Sequence, residues 1–196
     1  DVTHSDAANQ ALLAAINNFG GLDILISNAG AAHAGPMLDI SNEELRNAFE
    51  LNFFSHYSFS TEAAKILKDQ NRGGQILFNI SKQAVNPGKN FGAYGLPKAT
   101  TFFLMRQLAL ELGSDGIRVN GINADRIRSG LLTDDFISSR AKSRGVSESE
   151  YMAGNLLNKE VTAEHVADAF TALACAESTT GHVMTVDGGN IEASLR

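Results

Sequence analysis

Residues 75–98 read QILFNISKQAVNPGKNFGAYGLPK. Gln75 to Ile80 is a short, nearly continuous apolar run after the break at Arg72-Gly73-Gly74, the pattern of a strand covered on both faces. A loop containing proline and glycine leads to a helix predicted from Gly95 to Leu112 and stopped by Gly113. Pro97 fits that helix only near its start, where the missing N–H is not needed. The alternation extends in both directions. Upstream, Ser5 to Phe19 reads as an amphipathic helix with Ser5 as N-cap, and Leu22 to Ser27 as a second apolar strand. Ser41-Asn42-Glu43-Glu44 is a capping box that opens a helix reaching Asp69. Downstream, Ile117 to Ile122 and His182 to Val186 are strands, and Thr162 caps a helix through Ala176. Residues 130–158 are polar and helix-prone without a strong apolar face, an excursion expected to lie over the rest as a lid. The order α-β-α-β-α-β-(α)-α-β predicts a single α/β domain, a doubly wound parallel sheet with helices on both faces.

The chain has 196 residues, of which 22 are acidic and 16 basic, and 43% are hydrophobic. A net charge of −6 argues against a nucleic-acid partner. The apolar fraction argues against disorder. No apolar run reaches the roughly 18–20 residues of a membrane helix, and no signal-peptide pattern opens the chain. A cytoplasmic protein is expected, and the single cysteine, Cys175, suits a reducing compartment. Cys175 is expected to pack as a small buried hydrophobe. The five histidines show no pair at ligand spacing beside acids, so no metal site is predicted.

Open parallel sheets place ligands at the carboxyl ends of their strands. The first strand ends in Ser27-Asn28-Ala29-Gly30 and the second at Ser81. Tyr94 and Lys98, four apart, share one helical face. A free phenol titrates near ~10, and a neighbouring ammonium favours the phenolate, so Lys98 is expected to lower the pKa of Tyr94. With a serine hydroxyl at the end of the adjacent strand, this is a constellation for moving a proton on or off a carbinol oxygen.

Here the chain resembles the short-chain dehydrogenases/reductases. The resemblance rests on Asp1-Val2-Thr3, Ser27-Asn28-Ala29-Gly30, Leu51-Asn52, Ser81 with Tyr94-Gly-Leu-Pro-Lys98, Arg118-Val119-Asn120 and Val186-Asp187-Gly188-Gly189, in the family's order and spacing. It implies a Rossmann-like fold, a small-molecule substrate and a nicotinamide cofactor, with NAD and NADP both open. It implies that Tyr94 is the catalytic acid/base and that Lys98 tunes it and holds the nicotinamide ribose. Ser81 would position the substrate oxygen, and Asn52 would kink its helix and hold a relay water. The backbone of Asn28, Ala29 and Gly30 would line the cofactor, Asp1 would meet the adenine, and Ile127 and Ser129 would bond the carboxamide. The stretches NISKQAVNPG, NADRIRSGLLTDD and EYMAGNLL are similar to the dehydrogenase half of bifunctional rhamnulose-phosphate aldolase/short-chain dehydrogenase proteins. That narrower likeness implies lactaldehyde as substrate, rhamnose catabolism as setting and an aldolase domain in the parent chain.

Departures from the family pattern fall at Phe78, with Asn79 one place late, and at Ala124-Asp125, where the family has Pro-Gly. Arg126 and Arg128 are left between two roles, bracing Asp125 or meeting a cofactor phosphate. His33 is a further candidate for facing substrate. No Gly-rich dinucleotide fingerprint occurs in the chain. By the resemblance, the family's first three strands precede residue 1, so residues 1–196 are expected to be the C-terminal catalytic part of the domain, strands 4-5-6-7 in family order. Without the pyrophosphate site the isolated chain is expected to lack activity, and the strand at 22–27 then becomes an exposed edge, predicting a homo-oligomer that covers it. A non-catalytic packing module and an NADPH-dependent keto-reductase for a bulkier carbonyl stand as alternatives.

Overall fold

The structure, a computed structural model, describes residues 1–190. Its elements run α1 (Ala7–Phe19), β1 (Ile24–Ser27), α2 (Asn42–Phe49), a π turn (Glu50–Phe54), α3 (Ser55–Gln70), β2 (Gly74–Asn79) and α4 (Gly92–Leu112). They continue with β3 (Ile117–Ala124), α5 (Asp134–Arg144), α6 (Glu148–Met152), α7 (Ala163–Cys175) and β4 (Val183–Val186). The four strands form one parallel sheet in the order β1-β2-β3-β4, as the alternation predicts.

The two-residue period of β2 sorts its side chains between two cores. Ile76 and Phe78 pack with Ile117 and Val119 of β3 against Leu67 of α3 and Met105, Leu108 and Leu112 of α4. Leu77 points the other way, onto Ile122 and onto Ala169, Phe170 and Leu173 of α7. Gly121 lies on the α4 side, where an added Cβ would come within 3.0 Å of Met105 Sδ, so its lack of a side chain lets helix and sheet close. The Arg118 guanidinium donates to the carbonyls of Leu173, Ala174 and Ala176, covering the C-terminal end of α7 where carbonyls lack helical partners. Asn120, fully buried, donates to the Thr179 carbonyl and accepts from His182 N–H, tying β3 to the segment entering β4. β1 forms the edge of the sheet, with Ile24 and Ile26 about half exposed. No helix among the described residues is long and apolar enough to cross a membrane.

Several local expectations change. α1 begins at Ala7 with Asp6, not Ser5, at the N-cap position, and the Asp6 carboxylate accepts from the side chains of Asn9 and Gln10 rather than from a backbone N–H. The Ser41 capping box forms, but the helix it opens is interrupted by the π turn, in which Ser55 N–H reaches back to the Glu50 carbonyl. α4 starts at Gly92, so Pro97 lies inside it: the Phe91 carbonyl accepts from Tyr94 and Gly95 N–H and begins the helix before the proline. The segment 130–158 has an apolar face after all. Ile137 and Ala141, one turn apart on α5, bury against Leu132, Tyr151 and Met152 in a small core of their own. Cys175, at the last position of α7, is exposed rather than buried.

Candidate active site

The site is assembled where β2 ends. Ser81 turns the chain out of the strand with φ 125° and ψ 148°, a conformation unfavourable for a residue with a Cβ. Its side chain accepts from Gln83 N–H and hydrogen-bonds the Tyr94 phenol in the first turn of α4. Lys98 follows one turn later and is almost completely buried. Its ammonium donates to the Asn79 carbonyl at 3.0 Å and lies 3.5 Å from His56 Nε2 and 5.8 Å from the centre of the Tyr94 ring. His56, also buried, pairs through Nδ1 with the Ser27 hydroxyl at 2.6 Å. Burial, followed by the Lys98 charge, lowers its pKa to about 3, so the imidazole is neutral.

The direction expected for Tyr94 is reversed. Burial holds its pKa above the usual phenol value, and the Ser81 hydrogen bond pulls the other way. The reason is desolvation of the buried phenol; Lys98 is itself pushed down to about 8 by burial, and its ammonium lies over the ring, 5.8 Å from its centre.

Asn52 occupies the π turn. Its carboxamide donates to the Ala31 carbonyl at 2.9 Å and the Ala48 carbonyl at 3.1 Å, and accepts from Ala31 N–H. It thereby fixes the loop that leaves β1. Gly30 is where that clasp needs room, since a Cβ there would fall 2.8 Å from Asn52 Oδ1 and 3.6 Å from Lys98 Nζ. Thr101 of α4 donates to the Asn52 carbonyl, locking the π turn against the helix that carries Tyr94 and Lys98. Asn28 accepts from Asn79 Nδ2 at 2.7 Å, so the asparagine that stood one place late in the sequence ties the ends of β1 and β2 together. Asn28, Ala29 and Gly30 are exposed at the end of β1.

Ile127 and Ser129 line the same cavity as Ser81 and Tyr94, about 390 Å³ in volume. The Ser129 hydroxyl closes its own turn, donating to the Ile127 carbonyl and accepting from Leu131 and Leu132 N–H. Asp1 lies apart from this group. It is exposed, and its carboxylate accepts from the N–H and hydroxyl of Thr3. His33 does not line the cavity either, and its ring lies 3.3 Å from Glu44.

At the Ala124-Asp125 departure, β3 simply runs on to Ala124, and the positive φ passes to Arg126, at 52°. Asp125 is buried with Lys82 Nζ at 2.8 Å, Arg126 Nε at 3.5 Å and Asn190 Nδ2 at 2.6 Å. Arg126 thus braces Asp125, also donates to the Tyr151 carbonyl and stacks on the Tyr151 ring. Arg128 pairs with Asp134 and Glu160 at the surface. His56 and Lys82 were missed from the sequence. The only signal for His56 was its spacing of four from Asn52, and for Lys82 its place after Ser81.

Residues 1–190 match the family model described as enoyl-(acyl carrier protein) reductase. The oxidoreductase YuxG of Bacillus subtilis is 35% identical over 96% of this chain and 29% of its own length. The 7α-hydroxysteroid dehydrogenase of Escherichia coli is 31% identical over 98% of this chain and 72% of that protein. The crystal structure of a short-chain type dehydrogenase/reductase from Mycobacterium marinum superposes with a TM-score of 0.85 at 26% identity, covering 96% of this chain and 72% of that one. The chain belongs to the short-chain dehydrogenase/reductase family. It spans less than a third of the length of the Bacillus relative and about three quarters of the other two.

Proposed function

We propose that this chain is the C-terminal catalytic part, residues 1–196, of a nicotinamide-dependent oxidoreductase acting on a small alcohol or hydroxy-aldehyde. One observation carries the reading: the Ser81 and Tyr94 side chains are hydrogen-bonded at the carboxyl end of β2, facing a cavity, with the Lys98 ammonium buried one turn behind. Two hydroxyls so placed hold one substrate oxygen. As a phenol Tyr94 gives its proton to a carbonyl at that oxygen, and as a phenolate, once its proton has left, it takes one from a carbinol there, while Ser81 fixes the oxygen by a hydrogen bond. The Ser81 bond opposes the effect of burial on Tyr94, which eases the proton's departure. Asn52 clasps Ala31 and so holds the loop after β1 in place, and by the family resemblance it would also hold a relay water.

The donors present suit a nicotinamide nucleoside. Lys98 stands beside Gly30, whose missing side chain leaves the loop Asn28-Ala29-Gly30 open at the strand end. Lys98 and Tyr94 would hold the ribose, and Ile127 and Ser129 the carboxamide. Asp1 would meet the adenine. When bound, the nicotinamide, as NAD or NADP, supplies or accepts the hydride. Lactaldehyde, an aldolase domain in the parent chain and a homo-oligomer covering the β1 edge are the finer parts of the reading, and sequence resemblance supports them.

The test is Tyr94→Phe in the full-length protein. Turnover with nicotinamide and a panel of small alcohols is expected to fall by about 10²–10⁴-fold, with an unchanged melting temperature. Wild-type turnover in the variant would overturn the assignment. Absence of turnover in the full-length wild type would favour the packing-module alternative.

A further inference from the structure

The cavity holding Ser81 and Tyr94 is basic within an acidic chain. Among the described residues, Lys82, Lys89, Arg126, Arg140 and Arg144 line it against a single carboxylate, Asp125. Lys82 and Arg126 are engaged by that carboxylate. Arg140 and Arg144 are held differently. The Arg140 guanidinium lies 5.6 Å from the centre of the Phe91 ring and 5.8 Å from that of Phe136, two rings that meet edge to face. That of Arg144 lies 5.2 Å from the Tyr151 ring centre. Aromatic faces fix the planes of both groups and leave their N–H edges to other partners. Arg140 Nε is buried and has no hydrogen-bond partner among the described residues. A buried unmatched donor is costly, and a guanidinium held in plane is pre-arranged for the paired oxygens of a carboxylate or phosphate.

We propose that the substrate of this site carries an anionic group, a carboxylate or a phosphate, received by Arg140 with Arg144 in support. The hydroxyl or carbonyl to be converted sits at Ser81 and Tyr94. This rests on the oxidoreductase reading and narrows its substrate class, since a neutral hydroxy-aldehyde leaves Arg140 unanswered. The same chemistry could be met by a phosphate of the cofactor, so the experiment separates the two sources.

The full-length protein is titrated calorimetrically, without cofactor, with two pairs of compounds sharing a skeleton. These are lactate against propane-1,2-diol, and glycerol 3-phosphate against glycerol. At least one anion is expected to bind about tenfold or more tightly than its neutral partner. Arg140→Gln is expected to abolish that preference, with Arg140→Lys intermediate and the affinity for NAD and NADP unchanged. If Arg140→Gln does not fold, Arg144→Gln, whose ring contact lies on α6, is expected to reduce the same preference. Equal binding of the pairs in the wild type overturns the proposal, as does a loss confined to NAD or NADP in Arg140→Gln. An anion preference that survives Tyr94→Phe supports the pocket independently of turnover. The same preference in a wild type without turnover would sink the oxidoreductase reading and leave the anion site standing.

Discussion

Lys98→Met replaces the buried ammonium with an apolar group of similar length, and its effect on stability follows from burial. The side chain is 3% exposed, and its pKa falls from 10.5 to about 8 because the charged form is desolvated. At about 1.4 kcal/mol per pH unit, that interval means the fold gives up about 3 kcal/mol to keep the ammonium charged below pH 8. Because the native pKa is the lower one, the unfolded chain binds the extra proton between the two values. The Lys98 contribution to stability is therefore fully present above 10.5 and is lost as pH falls through 8. At pH 7 the variant escapes this cost but leaves the Asn79 carbonyl without its donor, which takes back about 1–3 kcal/mol. The variant is thus expected to range from equally stable to about 2 kcal/mol more stable at pH 7, while losing turnover. Urea unfolding of both proteins at pH 7 and pH 10.5 checks this, since titrations common to both cancel in the difference. The difference should move by about 3 kcal/mol in favour of the wild type as pH rises. A difference constant across the range would refute the reasoning.

Phe78→Ala empties a fully buried position between β2 and the α3–α4 layer, and thermal unfolding should report a loss of about 3–5 kcal/mol. Arg118→Met removes the charged donor shared by three carbonyls at the end of α7, which keep only their weaker partners Ala176 N–H, Gln75 Nε2 and Thr179 N–H. A loss of about 1–3 kcal/mol is expected, with hydrogen exchange faster in the last turn of α7 than in α4.

What the sequence made legible was whatever depends on local order. The strand runs, the Ser41 capping box and the spacing of Ser81, Tyr94 and Lys98 belong to this class, because a strand end and the next helix turn bring those residues together by connectivity. Asn52 was legible as a point of irregularity, and the π turn lies there. Properties set by the whole fold were not. The direction of the Tyr94 pKa depends on how completely phenol and ammonium are removed from water, which four-residue spacing does not encode. The apolar stripe of α5 consists of Ile137 and Ala141 among polar neighbours, too narrow to register as a periodicity until α6 closes on it. Asp125 looked like an obstacle to the loop, but Lys82 and its neighbour Arg126 neutralise it and the distant Asn190 amide hydrogen-bonds it. Arg140 enters the cavity only because α5 folds back toward Phe91.

The π turn at Glu50–Phe54 makes the site sensitive to residue count as well as to residue type. One residue more than an α-turn would hold is accommodated there, so the sequence periodicities of α2 and α3 are offset by one residue while their faces stay aligned. Deleting any one residue of the turn would allow a smoother, better-bonded helix. It would also remove the bulge that presents the carboxamide at 52 to Ala31, while α3 keeps its facing because the π turn had absorbed one residue's worth of rotation. A frame-preserving deletion here is thus a change that the helix tolerates and the site does not, and length drift in this segment should track the fate of the chemistry.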